Sequence, residues 1–212
     1  IHDVASMFPG PLLQKCRDPN LVLLDKAETF YNEEGNASGV FGQHFVGHDP
    51  AIASDKNADF TAMTVMRMKP DEDVKEIVHV VHERGMSSMA QKRMMVILNN
   101  KFQPVVIELE SNHFQRVFAT ELRADTDLPV KTFISTKQRR ESLLMGLVMR
   151  FENEQIKLPW ADDRSRDVTS ILERELMMFG MSKKGRLESI ARHDDFALAL
   201  ALAHWGTTEF RE

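Results

Sequence analysis

Pro104-Val-Val-Ile-Glu-Leu-Glu110, followed by Ser111-Asn112 and a helical stretch to about Arg123, is the segment on which the fold turns. A short apolar run of this kind suits a strand covered on both faces, and Asn112 is a good N-cap for the helix behind it. This is one β-α step.

Upstream, Gln43 to Asp49 is apolar and extended, Pro50 to Ala58 reads as a turn, and Phe60 to Met68 alternates as a second strand. Lys75 to Glu83 (KEIVHVVHE) is rich in β-branched residues and is stopped by Arg84-Gly85, giving three antiparallel strands. Ser87 or Ser88 then caps a helix to about Asn99. Residues 1–42, with Pro9-Gly10-Pro11, Asp18-Pro19 and a polar run from Asn32 to Ser38, read as a loosely structured lead-in or linker.

Downstream, Leu128 to Ile134 repeats the strand pattern, and a helix follows from about Thr136 to Phe151. A short extended piece at Gln155 to Leu158 ends at Pro159. A further helix from about Arg164 to Phe179 is closed by Gly180, the basic loop Ser182 to Arg186 intervenes, and Asp195 to Trp205 forms a strongly apolar, alanine-rich last helix. The order β-β-β-α-β-α-β-α-α-α predicts an α/β fold with a mixed sheet, an antiparallel meander followed by parallel strands, and helices on both faces. That is the order of an RNase H-like fold, expected over residues 43–212.

The 212 residues, 42% hydrophobic, suffice for one substantial core and one domain. A charged fraction of 28% and a net charge of -5 exclude a broadly basic nucleic-acid coat, so any DNA contact must use local basic patches. A single cysteine, Cys16, excludes a disulfide framework and a multi-cysteine zinc site. No run approaches the apolar stretch of about 18 residues that a membrane span needs. The chain opens on Ile1 rather than methionine, which suggests a boundary inside a longer protein.

Three places put carboxylates at the ends of apolar elements: Asp49 after the first strand, Glu110 after the fourth, and Asp194-Asp195 at the head of the last helix. They converge if the first and fourth strands are neighbours and the last helix packs across their ends. Clustered carboxylates repel one another without cations, and hard oxygen donors are what divalent metal ions take. Phosphodiester hydrolysis needs an activated water and neutralisation of charge on the leaving oxygen, which two such ions about 3.5–4 Å apart supply. Each acid also has a plain reading: Asp49 starts an Asp-Pro turn, Glu110 is a solvated strand end with Glu108 as a rival, and Asp194 or Asp195 caps a helix.

GHDPA at Gly47 to Ala51, ADFTAMTV at Ala58 to Val65, IELESNHFQRVFATEL at Ile107 to Leu122 and HDDFALALALA at His193 to Ala203 together resemble the C-terminal nuclease domain of large terminase subunits from tailed bacteriophages. The likeness covers roughly Phe41 to the end, and the lead-in around Leu13 resembles the stretch joining motor to nuclease. The resemblance implies a metal-dependent endonuclease with two Mg²⁺ or Mn²⁺ ions, cutting double-stranded concatemeric viral DNA with low sequence preference when genome packaging starts and ends. It places the metal ligands at Asp49, Glu110 and within Asp194-Asp195. Asp59 matches an acid at the start of the second strand that supports a second metal or a phosphate. His193 would position water or phosphate, or is simply a surface histidine beside a helix cap. It implies an ATPase domain, a portal and a small terminase subunit as partners, in host-cell cytoplasm at the procapsid portal and not in a membrane. No G-x-x-x-x-G-K-[ST] occurs, so the chain lacks the motor's phosphate loop.

Two basic clusters, Lys137, Arg139 and Arg140 before one helix and Lys183, Lys184 and Arg186 before the last, suit contacts to DNA phosphates, although both also read as solvated surface. The thirteen methionines read as core filler, and the histidines lack the spacing of a zinc hydrolase, so none is taken as a ligand. Rival readings are a Holliday-junction resolvase or transposase core with the same acids, and a non-catalytic α/β module binding a nucleotide or partner. The latter lacks the glycine-rich loops it would need.

Overall fold

The structure is a computed structural model, describing residues 5–51, 60–70, 72–112, 115–181, 187–189 and 193–209. Its elements in chain order are α1 (Gly10–Lys15), β1 (Arg17–Asp18), β2 (Thr29–Tyr31), β3 (Ala37–Val40), β4 (Gln43–Asp49), β5 (Phe60–Met68), β6 (Lys75–Arg84) and α2 (Ser88–Phe102). These are followed by β7 (Val106–Glu110), α3 (Gln115–Asp125), β8 (Val130–Phe133), α4 (Lys137–Glu152), β9 (Ile156–Pro159), α5 (Asp163–Met177), β10 (Phe179–Met181), β11 (Leu187–Ser189) and α6 (Asp195–Glu209).

Seven strands form one sheet in the order β1-β9-β6-β5-β4-β7-β8. The meander β4-β5-β6 is antiparallel, while β7 and β8 add in parallel beside β4, so the mixed sheet expected of an RNase H-like fold is present. Caps fall where the sequence places them: the Ser87 side chain accepts from the Ala90 N–H, and Thr136 from that of Arg139. At the head of α3 the Asn112 N–H donates to Gln115 Oε1 at 2.8 Å.

Side chains alternate across the sheet. Met63, Val65, Val46 and Ile107 pack with Met95, Leu98 and Leu122 of α2 and α3, whereas Ala62, Met66 and Ile77 pack under α4, α5 and α6. From Phe196 to His204 every residue of α6 is buried, which explains its apolar, unpatterned sequence. Its three leucines, 198, 200 and 202, each contribute about 1.5–3 kcal/mol by leaving water.

Two regions differ from the sequence-based expectation. Phe8, Leu13, Cys16, Leu21, Leu23 and Ala27 of the lead-in are buried, and Arg17–Asp18 pair with β9 at the sheet edge. Proline and glycine punctuate this stretch as turns, yet the apolar residues between them have a sheet edge and α5 to pack on. The helix expected to end at Gly180 stops at Met177, because Phe179–Met181 form a hairpin with Leu187–Ser189 and Gly180 pairs with Glu188. Cys16 is sealed in the core, and burial pushes its thiol up to about 11.

Candidate active site

Parallel pairing of β4 with β7 sets Gly47 beside Glu108 and His48 beside Leu109, so the next step along both strands brings Asp49 beside Glu110. Gly47 faces α6 and Glu108 lies against Gly206 of α6; the two-residue period therefore turns Asp49 and Glu110 to that same face. α6 crosses β4, β5 and β7, with Gly206 over Phe45, Val106 and Glu108 and Ala199 over Gly47. Its first residue, Asp195, consequently arrives at the carboxyl ends of β4 and β7. The same direction carries Glu108 to the far end of α6, which separates it from Glu110.

Asp49 is 7% exposed and Glu110 4%. Burial, then the charge of Glu110, a hydrogen bond shared with it and the charge of Asp195 hold the Asp49 carboxyl well above the ordinary range, with Arg140 opposing. Asn112 Nδ2 donates to Glu110 Oε1 at 3.3 Å. The Pro50-Ala51 segment after Asp49 is held by two buried amides: Gln91 Nε2 donates to the Ala51 carbonyl at 2.9 Å, and Gln115 Nε2 to that of Pro50 at 3.1 Å.

The two acids at the head of α6 diverge. Asp194 Oδ2 accepts from Arg140 Nη2 at 2.6 Å, while the charge of Asp195 acts on Asp49. Burial lowers the Arg140 pKa, but Asp194, Glu110 and Asp49 outweigh it and hold the guanidinium above its usual value. His193 Nδ1 lies 3.9 Å from Asp195 Oδ2. Among the described residues, no three His, Cys, Asp or Glu side chains already form a cage that would hold a metal ion.

The structure thus brings Asp49, Glu110 and Asp195 into one electrostatic neighbourhood, with Asp194 turned to Arg140. Lys137 and Arg139 are exposed at the first turn of α4, where Arg139 lies over the Phe133 ring at 4.5 Å. Asp59, Lys183, Lys184 and Arg186 lie outside the described residues.

Sequence reasoning missed Glu175, on α5. Its Oε2 accepts from the backbone N–H groups of Phe196 and Ala197 at 3.0 and 3.1 Å. Burial pushes Glu175 up to about 7, with Asp195 and Asp194 adding to the rise and the two N–H donors opposing it. Its helix reads as an amphipathic surface element, and no local signal joins Glu175 to a helix head twenty residues later.

The terminase RNase H-like domain family matches residues 46–205. The large terminase nuclease of thermophilic phage G20c, solved with bound magnesium, superposes with a TM-score of 0.65 at 18% identity, covering 95% of this chain and 97% of that one. The human cytomegalovirus terminase nuclease domain, manganese-soaked and inhibitor-bound, gives 0.54 at 13% identity, with 94% of each chain covered. The large terminase of bacteriophage HK97 gives 0.60 at 9% identity over 94% of this chain and 43% of that one. No curated protein matches the chain. With the family matched over most of its length, the chain belongs to the terminase RNase H-like domain family.

Proposed function

We propose that this chain is a metal-dependent endonuclease that cuts double-stranded concatemeric viral DNA, with little sequence preference, at the start and end of genome packaging. The observation that carries the reading is the buried Asp49–Glu110 pair, on which the charge of Asp195 also acts, inside the terminase RNase H-like domain family. A carboxyl that burial and two neighbouring acids push toward its protonated form fits a place that a cation would neutralise. Asp49, Glu110 and Asp195 would hold the metal, as hard oxygen donors do for Mg²⁺ or Mn²⁺. When bound, two such ions supply an activated water and neutralise the leaving oxygen.

The residues of this chain do the rest. Asn112 orients Glu110, and Gln91 and Gln115 hold the Pro50-Ala51 segment next to Asp49. Arg140 holds Asp194 aside, and its positive charge favours ionised Asp49. Lys137 and Arg139, with Lys183, Lys184 and Arg186 beyond the described residues, would neutralise DNA phosphates without reading bases. Asp59 would support a second ion or a phosphate. In the whole protein the lead-in at residues 1–42 would join this domain to an ATPase motor, which would work with the portal and small terminase subunit in host-cell cytoplasm. No helix among the described residues is long and apolar enough to cross a membrane.

The test is cleavage of supercoiled and linear plasmid by the parent chain and Asp49→Ala in Mg²⁺, Mn²⁺ or EDTA. Metal-dependent cutting of both substrates by the parent alone is expected. Equal cutting by Asp49→Ala would remove Asp49 from the site.

A further inference from the structure

The first turn of a helix leaves backbone N–H groups without intrahelical acceptors, and α6 is a buried helix whose head carries Asp195. The local residue placed to cap it, Asp194, directs its carboxylate to Arg140 instead. Two of the first-turn donors, Phe196 N–H and Ala197 N–H, are taken by Glu175 Oε2 from α5. The other oxygen, Oε1, lies 3.6 Å from His82 Nε2 on β6. That imidazole is sandwiched, with ring centroids 4.3 Å from Phe60 and 5.2 Å from Phe196. One side chain on α5 therefore holds the head of α6 and lies beside the third strand of the meander.

We propose that Glu175 is a positioning residue, which fixes the first turn of α6 so that Asp195 faces the Asp49–Glu110 pair. The inference rests on the reading of Asp195 as a metal ligand. Asp195 is the first residue of α6 and immediately precedes the two N–H groups that Glu175 holds, so fraying of that turn moves its carboxylate directly. Ligand sets and reacting groups tolerate little displacement: about 1 Å of misplacement is enough to cost a large part of the rate. A carboxylate is an electrostatically awkward cap here, since it adds negative charge near Asp194 and Asp195 and burial pushes it up to about 7. Its length is what serves, because it reaches the helix head from a neighbouring element while Asp194 is engaged elsewhere.

The experiment is a Mn²⁺ titration of plasmid cleavage by the parent, Glu175→Gln and Glu175→Leu, with kcat and KM for DNA measured at saturating Mn²⁺. Glu175→Leu keeps the bulk but loses the acceptor; its Mn²⁺ midpoint should rise about tenfold, as for loss of a residue that orients a ligand. Its kcat should fall while KM for DNA stays within about twofold. Glu175→Gln keeps an acceptor oxygen and should recover most of the parental midpoint. A parental midpoint and kcat in Glu175→Leu would overturn the proposal, as would Glu175→Gln failing as badly as Glu175→Leu. If Glu175→Leu does not fold, Glu175→Asp takes its place: its shorter arm withdraws the oxygen, and parental values there overturn the proposal equally. A parent that neither binds Mn²⁺ nor cleaves DNA sinks the metal-site reading itself, whereas an active parent with indifferent variants sinks only the role of Glu175.

Discussion

Gly47 of β4 lies so close beneath Ala199 of α6 that a Cβ on the glycine would overlap the alanine's carbonyl oxygen and stand 3.0 Å from its carbonyl carbon. Backbone, not a yielding side chain, is what it would meet. Contact at this point lets the buried helix ride on the sheet and brings its head to Asp49 and Glu110.

Gly47→Ala should therefore destabilise the domain by at least about 1–3 kcal/mol, the range for overpacking a core, and lower cleavage through displacement of Asp195. Thermal denaturation followed by circular dichroism checks it. An unchanged melting temperature would mean that α6 and β4 can separate freely.

Asp195→Asn should lower cleavage by more than about a hundredfold, the upper range for loss of a residue that merely supports a ligand. Asp194→Asn should cost far less, because Asp194 faces Arg140 rather than Asp49. Steady-state rates of the two variants side by side decide this; a reversed ranking would assign the site to Asp194.

Mn²⁺ or Mg²⁺ should raise the melting temperature of the parent, since on the proposed reading cations would bind the assembled carboxylates and not the unfolded chain. At a hundred times the dissociation constant the gain is about 2.7 kcal/mol. Asp49→Asn and Glu110→Gln should lose the shift. A parent indifferent to metal across the titration would refute the site.

In EDTA the sign of the pH dependence follows from burial. Asp49 has a raised pKa, so the folded state keeps a proton that the unfolded chain has released, and stability is lost as pH rises from the ordinary carboxylate range. Glu175 acts in the same direction between 4.5 and about 7. His44 and His82, lowered by burial to about 4, and His48 and His204, lowered to about 3, act oppositely below 6.5, so the informative quantity is a difference. Metal-free Asp49→Asn should melt above the parent, by a margin that widens as pH rises from 4.5 to 7. A constant margin would mean that Asp49 ionises as freely as an exposed acid.

Much of this fold was legible along the chain because its signals are local. The β-branched run at Lys75 to Glu83, the Ser87 and Thr136 caps and the unbroken apolarity of α6 each report their own surroundings. The lead-in was harder, since its prolines and glycines mark turns correctly but say nothing of where Phe8 and Leu13 are buried. Gly180 misled for a related reason: glycine ends helices and also sits in hairpins, and only pairing with Glu188 distinguishes them.

The sequence by itself determined the order of the elements from β4 to α6 apart from the β10–β11 pair, the family resemblance and the three acidic positions at element ends, because strand and helix periodicity and residue type are written locally. Tertiary structure decided how those acids are oriented. That Asp194 is held by Arg140, that Asp195 acts on Asp49, and that Glu175 holds the head of α6 all depend on contacts between residues far apart in the chain. Such contacts are fixed by sheet register and helix packing, and by the burial that strengthens charge interactions once water is excluded.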